Sequence, residues 1–254
     1  MKDKWTTRIK LKRISRYIII FSLVFLLIFA GFTLYGDKVG NFTVVLKEDN
    51  VKISACLTKD FDSDKTSRFE VPGIEYLSAT TYRDIPDSLT RGVGIKNDEN
   101  NKYMAFSFYL LNLTDRNINY DLSVEITDEL AGTKDKSYKP SDALRILILE
   151  ESDMDADMEG SASLKEDGKV YARQEDSEAG QDELKAADYP EGKVTYFAEG
   201  SEIVKKEGIS FLVNGVVKYT VVIWLEGYDI SCRDELIGGR LKMRMNFNAY
   251  ASEK

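Results

Sequence analysis

Between Lys218 and Phe247 the chain carries two runs with strand character on either side of a loop, and this block constrains the fold most. In the second run Leu241, Met243, Met245 and Phe247 alternate with Lys242, Arg244, Asn246 and Asn248. A strict period of two is what a strand with one buried and one wet face requires. In the first run Tyr219, Val221, Ile223 and Leu225 form one face, and Val222 and Trp224 make the other nearly as apolar. A strand apolar on both sides is expected in the middle of a covered sheet. The pair therefore calls for a second layer to close its core.

Charge divides the chain before any fold does. The first sixteen residues carry seven Lys or Arg against Asp3, and the whole chain has a net charge of −8. From Tyr17 to Gly36 there is no charged residue at all. Twenty residues at 1.5 Å each span roughly 30 Å as a helix, about the thickness of a bilayer core. The basic side faces the cytoplasm by the positive-inside rule, which sends the remainder outside. A cleaved signal peptide is the alternative. The length of the apolar stretch and the lack of an A-x-A site favour a retained anchor. The expected organisation is a cytoplasmic basic segment (1–16), a transmembrane helix (17–36) and an extracytoplasmic domain (40–254).

Further strand patterns follow. Phe42, Val44 and Leu46 alternate with polar positions, Glu48-Asp49-Asn50 turns the chain, and Val51, Ile53, Ala55 and Leu57 repeat the pattern, which predicts a hairpin. Leu77–Tyr82 reads as a short strand. Met104–Leu110 and Tyr120–Ile126 are two long strands around an Asn/Asp-rich turn, and Asn214-Gly215 is a hairpin dipeptide. Leu144–Ile148, Lys169–Arg173, Lys193–Phe197 and Ile209–Val213 complete about ten strands. The segment 150–191 holds fifteen acids against four bases and predicts a loosely packed acidic insertion, with at most a short helix near Asp182–Ala187. The expected fold class is mainly β: an N-terminal transmembrane helix followed by an antiparallel β-sandwich, immunoglobulin-like or jelly-roll-like, with an acidic insertion.

No stretch reads as an active site. The chain has no histidine, which removes the commonest general base and the commonest transition-metal ligand. So acidic an ectodomain argues against nucleic acid as a partner. Asp155-x-Asp157-x-Glu159-Gly160-x5-Glu166 has much of the spacing of an EF-hand loop, but its flanks read as strands, so no metal or other cofactor is expected. Gly92-x-Gly94 and Gly238-Gly239 read as turn glycines. Asn41-Phe42-Thr43 and Asn112-Leu113-Thr114 match the glycosylation sequon. Cys56 and Cys232 are the only cysteines. They form either a disulfide, worth about 5 kcal/mol for so long a loop, or two separate thiols.

The block KYTVVIWLEGYDISC...IGGRLKMRMNF, with YMAFSFYLLN...NINYDLSVEI, DALRILIL and KVYAR, resembles a group of uncharacterised, membrane-anchored exported β-sandwich proteins of Gram-positive bacteria. The likeness runs from Gly40 onward, with W-L-E-G-x-D-x-x-C...G-G as its core. In layout alone the chain is similar to the TasA/camelysin matrix proteins. Together these imply a cell-surface protein with a structural or interaction role in the envelope or matrix. Its partners would be the membrane through the N-terminal helix, other envelope proteins, or copies of itself, and it would not be an enzyme. The rival readings are an extracytoplasmic hydrolase with a carboxylate pair, and a calcium- or ligand-binding accessory subunit of a membrane complex.

Overall fold

The computed structural model describes residues 17, 19–26, 41–58, 65–152, 162–173, 189–198 and 200–252. The chain divides into two units, Met1–Val39 and Gly40–Lys254. In the first unit, residues 17 and 19–26 are helical with exposed side chains, and the rings of Phe21 and Phe25 stack at 6.1 Å. Among the described residues no helix is long and apolar enough to cross a membrane. Most of the expected span, residue 18 and residues 27–36, lies outside them.

The second unit is mainly β, with thirteen strands among its described residues arranged in two mixed sheets. The first sheet has the order β11-β7-β13-β1-β4. Its members are β11 (Glu202–Phe211), β7 (Ile118–Leu130), β13 (Arg240–Ala251), β1 (Phe42–Asp49) and β4 (Arg68–Val71). The second runs β10-β9-β8-β12-β6-β2-β3, with β5 (Gly94–Ile95) paired to β6. It is built from β10 (Val194–Tyr196), β9 (Lys169–Ala172), β8 (Leu144–Ser152), β12 (Val216–Leu225), β6 (Met104–Asn112), β2 (Ile53–Cys56) and β3 (Lys65–Thr66).

The alternation in β12 and β13 is borne out. Met243, Met245 and Phe247 of β13 and Tyr219, Val221 and Ile223 of β12 lie in one core shared by both sheets. Aromatic rings bridge the layers: Phe42 to Phe106 at 5.0 Å, and Tyr219 to Phe247 at 5.1 Å. Offset and edge-on pairs of this kind add about 0.5–1.5 kcal/mol each beyond the area they bury. The other face of β12, with Val222 and Trp224, enters a second cluster with Tyr82, Ile85, Leu89, Leu147 and Leu164. The second sheet is thus covered on both faces, by the first sheet and by the segment around residues 82–103. This is why β12, flanked by β8 and β6, is buried along almost its whole length.

Three features differ from the sequence reading. First, the sheets are not wholly antiparallel: β1 runs parallel to β13, and β10 parallel to β9. The strand Arg240–Ala251 is therefore interior, held by β7 on one side and β1 on the other. Secondly, the three expected hairpins are arches that cross from one sheet to the other. The strands of β1–β2, β6–β7 and β11–β12 each lie in different sheets. Period-two alternation looks the same in both cases, because either connection buries every second side chain. Asn50 and Asn214 take positive φ, 54° and 56°, in two of these arches, a conformation asparagine tolerates with little strain. Thirdly, Leu77–Tyr82 is not a strand. Thr80 makes a single bridge to Glu226, and Tyr82–Asp84 forms a 3-10 turn.

Asn112 sews two of the arches together, β6–β7 and β11–β12. Its side-chain amide donates to the carbonyls of Arg116, Phe211 and Leu212, and its Oδ1 accepts from Thr114 N. At 2% exposure this sequon asparagine is a structural rivet with its nitrogen fully engaged.

The acidic segment is not uniformly loose. Glu150 and Glu151 belong to β8, and Leu164 is fully buried in the one-turn helix Leu164–Asp167. Its neighbour Gly168 packs so closely on Leu147 that a Cβ there would sit 2.7 Å from that side chain. The helix expected near Asp182–Ala187 lies outside the described residues.

Candidate functional site: polar clamps on the outer face of β12

The outward face of β12 reads Lys218, Thr220, Val222, Trp224, and the polar members at its two ends organise two buried clusters. The larger lies where β12 ends, in the W-L-E-G-x-D-x-x-C block. Glu226 is 1% exposed. Its Oε2 accepts from Tyr189 Oη at 2.6 Å, Trp224 Nε1 at 3.1 Å and Tyr82 N at 3.3 Å. One carboxylate oxygen thus gathers three donors from three separate stretches of chain. The ring of Tyr82 packs on Tyr189 with centroids 4.7 Å apart. The backbone repeats the connection, with Thr80 N bonded to Leu225 O at 3.0 Å and Gly227 N to Thr80 O at 2.7 Å.

Three residues further on, Asp229 is held by Arg145. The guanidinium Nη2 lies 2.6 Å from Asp229 Oδ2, and both side chains are almost wholly buried. Arg145 also donates to Leu144 O, and Asp229 Oδ1 accepts from Ser231 N at 2.7 Å. Burial, reinforced by Glu226, pushes the Tyr189 hydroxyl well above its ordinary pKa. Burial beside Asp229 and Glu226 pushes the Cys232 thiol up to about 11, so at neutral pH it stays a protonated, weakly nucleophilic thiol.

At the other end of the same face, Lys218 is completely buried. Its ammonium donates to the Thr90 carbonyl and lies 3.3 Å from Glu151 Oε2. Lys218 and Glu151 are directly opposite each other on β12 and β8. Beside them Lys96 Nζ donates to the Leu89 carbonyl at 2.7 Å and the Gly92 carbonyl at 2.8 Å, and Ser107 Oγ meets Thr220 Oγ1 at 3.0 Å. Three carbonyls of the loop 89–92, those of Leu89, Thr90 and Gly92, are thereby held by ammonium groups. The two clusters do one job. They fasten an irregular covering segment, which has few backbone bonds of its own to the sheet, with charge-assisted hydrogen bonds.

Sequence reasoning found Glu226, Asp229 and Cys232 only as parts of a motif, and missed Arg145, Tyr189, Lys218 and Glu151. The usable signal was a single charge inside an otherwise apolar run: Arg145 in LRILIL and Lys218 in VVKYTVV. A charge at a core position must have a buried partner.

The structure keeps the two cysteines apart, and they form no disulfide with each other. Cys56 ends β2, is fully buried against Tyr109 and Leu111, and donates from Sγ to Thr58 O at 3.2 Å. Cys56 shares its row with Tyr109 and Lys218, whereas Cys232 is bonded through its N–H to Asp229, the partner of Arg145 in the Arg145–Trp224 row. Six residues of β12 separate those rows, roughly 20 Å at the rise of a strand and far beyond the reach of an S–S bridge. Gly92, Gly94 and Gly238 have the positive φ of turn glycines. Of the EF-hand-like positions, Asp155, Asp157 and Glu159 lie outside the described residues, and Glu166 sits in the one-turn helix with its N–H capped by Ser163 Oγ. Among the described residues no group of three His, Cys, Asp or Glu side chains is placed to hold a metal ion. Compared with known proteins, the chain matches no family model, no curated protein and no solved structure.

Proposed function

We propose that this chain is a single-pass membrane-anchored protein of a bacterial envelope that presents one β-sandwich outside the cell as a structural or protein-interaction module. The charge asymmetry supports the anchor: seven Lys or Arg in the first sixteen residues, then twenty uncharged ones. The observation that carries the module reading is the use to which the buried carboxylates are put. Glu226 is taken up by Trp224, Tyr189 and Tyr82, Asp229 by Arg145, and Glu151 by Lys218. Groups spent on fastening a covering segment to a sheet are stability elements. A general acid or base instead needs an oxygen open to substrate.

The test has two arms. Protease added to intact spheroplasts should degrade the Gly40–Lys254 unit, whereas protection of that unit would reverse the orientation. The purified chain and its Glu226→Gln variant should then be assayed against a panel of glycoside, ester and peptide substrates. Turnover by the parent that the variant loses while still folded would replace the module with the hydrolase.

A further inference from the structure

The strand directions give the Gly40–Lys254 unit two poles. At one lie the three arches. At the other lie the start of β1, where Asn41 O accepts from Met243 N at 3.0 Å, and the loops joining β7 to β8 and β12 to β13. These two loops are fastened to one another. Thr133 N and Oγ1 both donate to Ile237 O, at 3.0 and 2.9 Å, and the Arg233 guanidinium lies over the Tyr138 ring at 5.6 Å. Gly132 lies so close to the partner loop that a Cβ there would overlap Glu235 O. The fastened loops nevertheless leave large apolar side chains in water: Leu130 is 52% exposed, Tyr228 49%, Ile230 40% and Ile237 60%. Lys134, Lys136 and Lys139 stand in the first of them.

We propose that this pole rests on a lipid surface, with Leu130, Ile230, Ile237 and Tyr228 at the level of the headgroups and the three lysines against lipid phosphates. The inference rests on the membrane-anchored reading, because the length of chain names the occupant. Only Asp37–Gly40 separate the uncharged stretch from Asn41, and four residues reach at most about 14 Å. A pole tethered so closely to a bilayer is held at a high effective concentration of lipid. Aliphatic and tyrosine side chains flanked by lysines are the combination that partitions into the headgroup boundary. The opposite pole also exposes apolar side chains, Leu113, Leu212 and Val213. It lies at the far end of β1 from the tether and serves as the control.

Because the Gly40–Lys254 unit has its own core, it can be prepared without the first 39 residues and tested by co-sedimentation. The probes are phosphatidylcholine vesicles with and without phosphatidylglycerol. The expected result is weak binding that Ile237→Glu reduces about tenfold or more and that Leu212→Glu leaves unchanged, with both variants melting like the parent. No sedimentation with either vesicle, or equal loss in both variants, overturns the proposal. So does a loss that tracks the break-up of a dimer instead of lipid contact. Carbonate extraction of the full chain separates this from the anchor. If the parent chain is washed off membranes, the anchor reading fails, whatever the isolated unit does with vesicles.

Discussion

The hydroxyls of Tyr120 on β7 and Tyr219 on β12 meet at 2.6 Å in the middle of the core, and this is a polar contact between the two sheets. Tyr120 also reaches Glu150 Oε1 at 3.4 Å, and Glu150 is paired with Lys206 at 3.1 Å. Neither tyrosine is accessible to water. Tyr219→Phe removes one partner while Tyr120 keeps the other, so we expect a loss of about 1–2 kcal/mol in urea unfolding. Tyr120→Phe should cost a similar amount, since Glu150 stands beside both hydroxyls. An unchanged midpoint for both would show that the contact contributes nothing.

The same tyrosines set an alkaline limit. Burial raises the hydroxyl pKa of Tyr120, Tyr219 and Tyr189, and that of Tyr82 reaches about 12 with help from Asp87. Above the ordinary value near 10 the unfolded chain loses these protons and the folded one keeps them. The folded state then binds more protons, so stability falls as pH rises. The melting temperature should hold up to about pH 9.5 and drop steeply beyond it. Absorbance at 295 nm should show a group of tyrosines that ionise only on unfolding, and a smooth titration of all fourteen near pH 10 would contradict the burial.

Glu226 has three donors on one oxygen, so truncation should be severe. Glu226→Ala strands the Trp224 N–H and the Tyr189 hydroxyl, with an expected cost of about 3 kcal/mol or more. Glu226→Gln keeps an acceptor oxygen and should lose less. A folded Glu226→Ala protein with parental Trp224 fluorescence and melting temperature would count against the clamp.

Lys218 and Glu151 form an ion pair with neither Glu151 oxygen accepting a hydrogen bond from the protein. Breaking a buried pair costs about 3–5 kcal/mol, whereas replacing both members with apolar residues is often neutral or better. Lys218→Met should therefore destabilise strongly, and the added Glu151→Leu should recover most of the loss. Simple additivity in the double-mutant cycle would mean that the charges do not interact.

For the cysteines the expected outcome is two thiols in the native protein. Cys232, with its thiol pushed up to about 11, should react slowly with a thiol reagent at pH 8, and unfolding should speed both. A mass lower by two hydrogens in the purified chain would establish a bond instead.

Much of the layering was legible because β12 and β13 announce their faces. Val222 and Trp224 showed that one sheet is covered twice, and Met243, Met245 and Phe247 showed that the other is wet on one side. Connectivity was not legible. A strand pair joined by Asn214-Gly215 alternates identically whether the chain folds back in one sheet or crosses to the other, and only long-range pairing decides. The clamps were half legible. Lys218 and Arg145 stood out as charges in apolar runs, but Tyr189 sits beside fifteen acids that disguise it as part of a solvated stretch.

The pairing of β1 with β13 has a consequence for how such a chain is made. Phe42 finds its neighbour Met243 about 200 residues later in the chain, and β13 is also the partner of β7. The first sheet therefore has no centre until the last strand has emerged. A chain threaded across a membrane from its N-terminus would stay open through the whole of its passage and close only on arrival, which delays folding as long-range pairing does. A stop codon shortly before Arg240 should then be as damaging as one near the beginning, because it removes the middle of a sheet and not its margin.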